Sequence, residues 1–147
     1  MTTVHGTVER YLQIWNQRDP AARRAAVRAV FGEACSYTDP LAAVSGHDGI
    51  DGFIAGVQQQ FAGVRFALAG AVDAHHDVAR FTWHARAEGR EDPLAIGFDV
   101  AVLDGDRIKQ VVGFLDKVLI AVRRTRRSGA VGRCRRSCGE LRGFVAR

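Results

Sequence analysis

The hydrophobic period of this chain changes for good after residue 61. Up to residue 61, apart from a short alternating run at 35–38, apolar side chains recur every three to four positions; from 64 to 117 they alternate or run at strand length. Val8, Tyr11, Leu12 and Trp15 stand at i, i+3, i+4 and i+7 and predict a helix over 4–17. Asp19-Pro20 reads as an N-cap followed by proline at the first helical position, opening a second helix that ends near Gly32. A short strand over 35–38 leads to a third helix from about 47 to 61, whose Ile50, Phe53, Ile54, Val57 and Phe61 form its apolar face. Strands follow at 64–72, 78–88, 93–103 and 107–117, divided by Asp73-Ala-His-His-Asp, Gly89-Arg-Glu-Asp and Asp104-Gly-Asp, which suit chain reversal. Helices first and an antiparallel meander afterwards predict an α+β fold. Three N-terminal helices pack on a curved antiparallel or mixed sheet, forming a cone whose internal pocket is the natural place for a small ligand.

Charge divides the chain into two parts. The net charge is +5, yet residues 118–147 carry nine arginines and one acid, Glu140, while the rest holds 12 basic and 15 acidic side chains. The expected domain is therefore 1–117, mildly acidic, followed by a basic Arg-rich segment, 118–147, that is either disordered or a frameshifted end. Nucleic acid is not an expected partner except through that segment, whose arginines, lacking interleaved aromatics, suit non-specific contact with phosphate backbones. No apolar run approaches the roughly 20 residues of a membrane span, and the first residues lack the pattern of a secretion signal, so no membrane association and a cytoplasmic location are expected. Cys134 and Cys138 form a lone C-x3-C pair without a nearby histidine, and no metal site is expected.

Three residues invite a chemical reading beside a structural one. Asp39, in Tyr37-Thr38-Asp39-Pro40, is either a turn residue or an acid at the mouth of an apolar pocket. Tyr11 lies on an apolar helix face, where a core tyrosine with a satisfied hydroxyl is the plain alternative. Asp99 interrupts "LAIGFDVAVL", and a carboxylate there is costly to bury without a partner or a raised pKa. If Asp99 points inward, so do Gly97 and Ala101, leaving room for a ligand, while Phe98, Val100 and Val102 form an outer apolar face that a second copy would cover. Phe81 and Trp83 alternate as pocket wall or plain core, with His84 on the opposite face. His75-His76-Asp77 reads as a solvated turn.

The order of these features resembles the nuclear transport factor 2-like superfamily, in particular its SnoaL-like polyketide cyclase and ketosteroid isomerase branches. The likeness rests on Arg10-Tyr11-Leu12, Trp15-Asn16 and Asp19, on Tyr37-Thr38-Asp39-Pro40, on Gly46-His47-Asp48-Gly49-Ile50, and on "GFDVAVLDGDRIKQVVGFLD". By resemblance Tyr11 matches the isomerase's oxyanion-hole tyrosine, Asp39 its general base, and Asp99 the aspartic acid that an apolar site keeps protonated. Departures are visible as well. Phe31 and Ile54 stand where the isomerase has supporting tyrosines, so its hydrogen-bond chain is missing. Asp116 matches an essential cyclase aspartate, a second-rank candidate here, but the cyclase histidine has no counterpart among residues 109–112 and simple alternation turns Asp116 away from Leu115.

The expected ligand is a small apolar molecule bearing a carbonyl. The expected pocket walls are Trp15, Phe53, Val57, Phe81, Trp83, Ala101 and Leu115, and the expected reaction is proton abstraction beside the carbonyl, as in an isomerase or aldol-type cyclase, with no cofactor. A homodimer through the outer sheet face is also expected. The alternatives are a non-catalytic ligand-binding or protein-interaction module, or hydrolysis by carboxylates with Arg86 in the cavity.

Overall fold

The computed structural model describes residues 3–119. Residues 120–147, including Cys134, Cys138 and nearly all of the basic segment, lie outside the described residues; Val118 itself ends the last strand. The helices are α1 (Val4–Asn16), α2 (Pro20–Val30) and α3 (Gly46–Gln60). The strands are β1 (Phe31–Thr38), β2 (Ala43–Ser45), β3 (Val64–His75), β4 (Val78–Ala87), β5 (Ala95–Asp104) and β6 (Arg107–Val118). They form one curved, unclosed six-stranded sheet in the order β2-β1-β6-β5-β4-β3, antiparallel except where β1 runs parallel to β6. The expected α+β architecture is present, with two additions. The first strand begins four residues early, at Phe31, directly after α2, and a three-residue β2 folds back on it.

Local chemistry accounts for the helix starts. The Thr3 hydroxyl accepts the Gly6 amide at 3.1 Å, and Asp19 Oδ2 accepts the Ala22 amide at 2.7 Å with Pro20 in the first turn. Strand alternation then builds the core. Ala79, Phe81, Trp83 and Ala85 of β4 and Ala95, Ala101 and Leu103 of β5 are buried against Tyr11, Ile14 and Trp15 of α1 and Ile50 and Ile54 of α3. Full burial of each large side chain contributes about 1.5–3 kcal/mol. The outer face keeps Phe98 half-buried and Phe114 exposed, their ring centroids 6.4 Å apart.

Polar ties fix the helices relative to the sheet. Arg23 is 5% exposed, and its Nε donates to Asp51 Oδ1 at 2.7 Å while Nη1 donates to Gln58 Oε1 at 2.9 Å. The Gln58 amide then donates to the carbonyls of Trp15 and Gln17, both at 2.9 Å, so α1, α2 and α3 share one buried network. Asn16 completes the frame. Its side chain exchanges two 2.8 Å bonds with the backbone of Phe66, pinning the end of α1 to β3 and setting where Trp15 stands.

Candidate active site

Asp99 occupies the middle of the inner sheet face, opposite Phe81 on β4 and Gly113 on β6. It is 2% exposed. Its Oδ2 accepts a 2.8 Å hydrogen bond from the Tyr11 hydroxyl, whereas Oδ1 is buried with no hydrogen-bond partner among the described residues. Burial pushes the carboxyl up to about 6; the Trp83 indole and the Tyr11 hydroxyl oppose that rise, and the charge of Asp39 adds to it. Burial first, then the Asp99 carboxylate, raises Tyr11 well above an ordinary phenol, and Tyr37 is likewise raised by burial and by the two aspartates. Both tyrosines are therefore neutral hydrogen-bond donors.

Asp39 answers both of its readings at once. Oδ1 accepts the amides of Leu41 at 2.7 Å and Ala42 at 2.9 Å, closing the turn between β1 and β2, while Oδ2 accepts the Tyr37 hydroxyl at 2.9 Å and the residue lines the cavity. Cys35, Tyr37 and Asp39 lie on one face of the extended chain, so the alternation that buries Cys35 also carries Tyr37 and Asp39 inward.

The three polar groups meet around a bare glycine. A Cβ on Gly113 would stand 2.9 Å from Asp99 Oδ1, 3.3 Å from Asp39 Cβ and 3.6 Å from the Tyr37 hydroxyl. Above them is a cavity of about 250 Å3, walled by Trp15, Tyr37, Phe53, Phe66 and Trp83 and reaching the surface beside exposed Leu41 and Val118. Its lining includes two charged residues, Asp39 and Asp99, and no basic one. The volume lies just below the roughly 300–1,000 Å3 of drug-sized ligand sites, so the occupant is compact. Among the described residues no three His, Cys, Asp or Glu side chains are grouped to hold a metal ion.

Residues 8–111 match the model of the SnoaL-like domain. The chain belongs to this family. The SnoaL-like domain is similar in structure to a protein from Agrobacterium tumefaciens provisionally described as an isomerase of the SnoaL-like family, with 39% identity and a TM-score of 0.75, over 80% of this chain and all of that one. It also resembles a provisionally described SnoaL-like polyketide cyclase from Jannaschia sp. (15% identity, TM-score 0.57, 75% of this chain and 85% of that one). A third neighbour, a protein of ketosteroid isomerase-like fold from Catenulispora acidiphila solved with trimethylamine, gives 16% identity and a TM-score of 0.60 over 76% of this chain and 85% of that one. No curated protein matches the chain. Among the described residues no helix is long and apolar enough to cross a membrane.

Within the SnoaL-like domain Tyr11, Asp39 and Asp99 come together, and Trp15, Phe53, Val57, Trp83 and Leu115 line the cavity. Four expectations need correction. Phe81 and Ala101 do point inward, but both are packed in the core outside the cavity lining, Phe81 against the Tyr11 ring at 5.8 Å. The space beside Gly97 is filled by the Trp83 indole, which would lie 2.0 Å from a Cβ there. Asp116 is exposed and absent from the lining: alternation along β6 carries Val111, Gly113 and Leu115 inward and Asp116 outward, and the extra residue between the Leu115–Gly97 and Lys117–Ile96 pairs does not return it to the cavity. Arg86 is held by the Glu91 carbonyl at 2.7 Å and by His84, away from the cavity, which removes the cation that the hydrolytic reading needed.

Sequence reasoning missed Tyr37 as a site residue. Its signal was available in the two-residue step to Asp39. With Phe31 and Ile54 apolar, Tyr37 is the second phenol of the site, and its hydroxyl donates to Asp39.

Proposed function

We propose that this SnoaL-like domain binds a compact apolar ketone or enone and abstracts a proton beside its carbonyl, as an isomerase or aldol-type cyclase does. The observation that carries this reading is the unpartnered Asp99 Oδ1, buried at the floor of an apolar cavity next to a second carboxyl group. Because Oδ2 already accepts from Tyr11, the proton of a neutral Asp99 is carried on Oδ1, where it donates to a carbonyl oxygen and to the enolate oxygen that forms. The Tyr11 hydrogen is committed to Asp99, so Tyr11 is a positioning residue that works through it. Asp39 is the base. Its Oδ1 is saturated by two amides, but Oδ2 takes only the Tyr37 hydroxyl and keeps an acceptor site for the substrate proton.

The family match and the likeness to the Agrobacterium protein support this class of chemistry. Substrate size is bounded by the cavity, which favours a one- or two-ring ketone. The outer-face pair of half-buried Phe98 and exposed Phe114 supports a homodimer formed through the sheet.

The test is deuterium wash-in at carbons beside the carbonyl, over a panel of cyclic ketones and enones. The wild type is expected to exchange, and Asp39→Asn to lose about a hundredfold or more, the ordinary contribution of a general base. Absence of exchange across the panel would leave the domain a ligand-binding module.

A further inference from the structure

The cavity holds more negative charge and more aromatic surface than a neutral ketone uses. Both charged lining residues are acidic, and among the described residues Asp99 has no ion-pair partner, while the Trp83 indole approaches its carboxyl group without closing a hydrogen bond to Oδ1. A buried acceptor in that condition is costly unless a ligand supplies the donor. In the same cavity lining the rings face several ways. Trp15 stands at 88° to Phe53, 54° to Tyr37 and 42° to Phe66, and Phe66 lies at 59° to Trp83, with centroids 5.3–5.9 Å apart. Aromatic faces attract cations through the ring quadrupole, more strongly once water is excluded.

We propose that the cavity also accepts a small trialkylammonium ion, its N–H donated to Asp99 Oδ1 and its alkyl groups packed among Trp15, Tyr37, Phe53 and Trp83. This binding does not rest on the enolate reaction. The ammonium ion needs Asp99 ionised and the carbonyl needs it protonated, so the two ligands compete for one space with opposite pH dependence. The titratable groups facing Asp99 are Tyr11 from α1 and Tyr37 and Asp39 from β1 and the turn after it; β4 contributes the Trp83 indole and β6 the bare Gly113. With the Asp99 carboxyl titrating near 6, nearly all of it is ionised at pH 8 and about a tenth at pH 5. Ammonium affinity then falls about tenfold between those values, since apparent affinity scales with the competent fraction.

The chain has two tryptophans, Trp15 and Trp83, and both line the cavity, so intrinsic fluorescence reports on it directly. Trimethylammonium chloride, which stays protonated at both pH values, is titrated into the full chain at pH 8 and pH 5 beside uncharged tert-butanol, with calorimetry on the same samples. The expected result is saturable ammonium binding at pH 8, about tenfold weaker at pH 5, and at least about tenfold tighter than tert-butanol at pH 8. Asp99→Asn should abolish the preference for the cation. The proposal is overturned if tert-butanol binds as tightly as the ammonium ion at pH 8, if ammonium affinity is the same at both pH values, or if neither method detects saturable binding. Deuterium wash-in on the same preparation separates the two readings. Exchange without ammonium binding overturns this inference alone, and ammonium binding without exchange overturns the proposed reaction alone.

Discussion

Replacing Asp99 by Asn should make the protein more stable at neutral pH and leave it unchanged in acid. Burial, opposed in part by Trp83 and Tyr11, lifts the Asp99 carboxyl from an ordinary 3.8 to about 6. Between those values the native chain holds a proton that the unfolded chain releases, so stability falls as pH rises. The loss begins above about pH 4 and is complete above about pH 7. That rise from 3.8 to about 6 corresponds to about 3 kcal/mol, at about 1.36 kcal/mol for each tenfold change in proton affinity, for a side chain only 2% exposed. Asparagine keeps the shape of the neutral acid and an acceptor for the Tyr11 hydroxyl, but it never ionises. Urea unfolding of both proteins from pH 4 to pH 8 gives the comparison, and taking the difference removes carboxylates common to both. The expected difference is near zero at pH 4 and rises to about 3 kcal/mol by pH 7 in favour of the variant. A difference that stays constant across the range would refute the argument that desolvation of Asp99 dominates, and with it the basis for a protonated acid in the site.

Two further substitutions probe the frame around the site. Gly113→Ala places a methyl group 2.9 Å from Asp99 Oδ1, so exchange activity should fall at least tenfold, with about 1–3 kcal/mol lost in urea unfolding; an alanine variant with wild-type exchange would show that the glycine does not set the geometry. Arg23→Ala strands Asp51 and the Gln58 amide oxygen in a buried network and should cost about 3–5 kcal/mol by the same measurement, whereas a change below about 1 kcal/mol would class the pair with weak surface bridges.

The hydrophobic periods were enough to specify three helices, a short strand before the third, and a closing four-strand meander, because both periods are properties of local backbone geometry. Asp99 was legible for a related reason: one acid in an apolar strand conflicts with its surroundings, and such conflicts mark sites. Tyr37 was legible in principle, two residues before Asp39 on the same face. What the chain could not show locally is set by pairing between distant strands. The absence of a register shift that would bring Asp116 inward depends on pairing against β5, and the space beside Gly97 is filled because Trp83, fourteen positions earlier, lies over it. Whether Phe81 touches ligand or core depends on how deeply Tyr11 of α1 seats against the sheet, which the Asn16–Phe66 and Arg23–Gln58 ties fix. Sequence alone therefore determined which elements form and which residue is out of place; long-range register and helix seating decided which side chains share the cavity, because those contacts join residues that no local pattern connects.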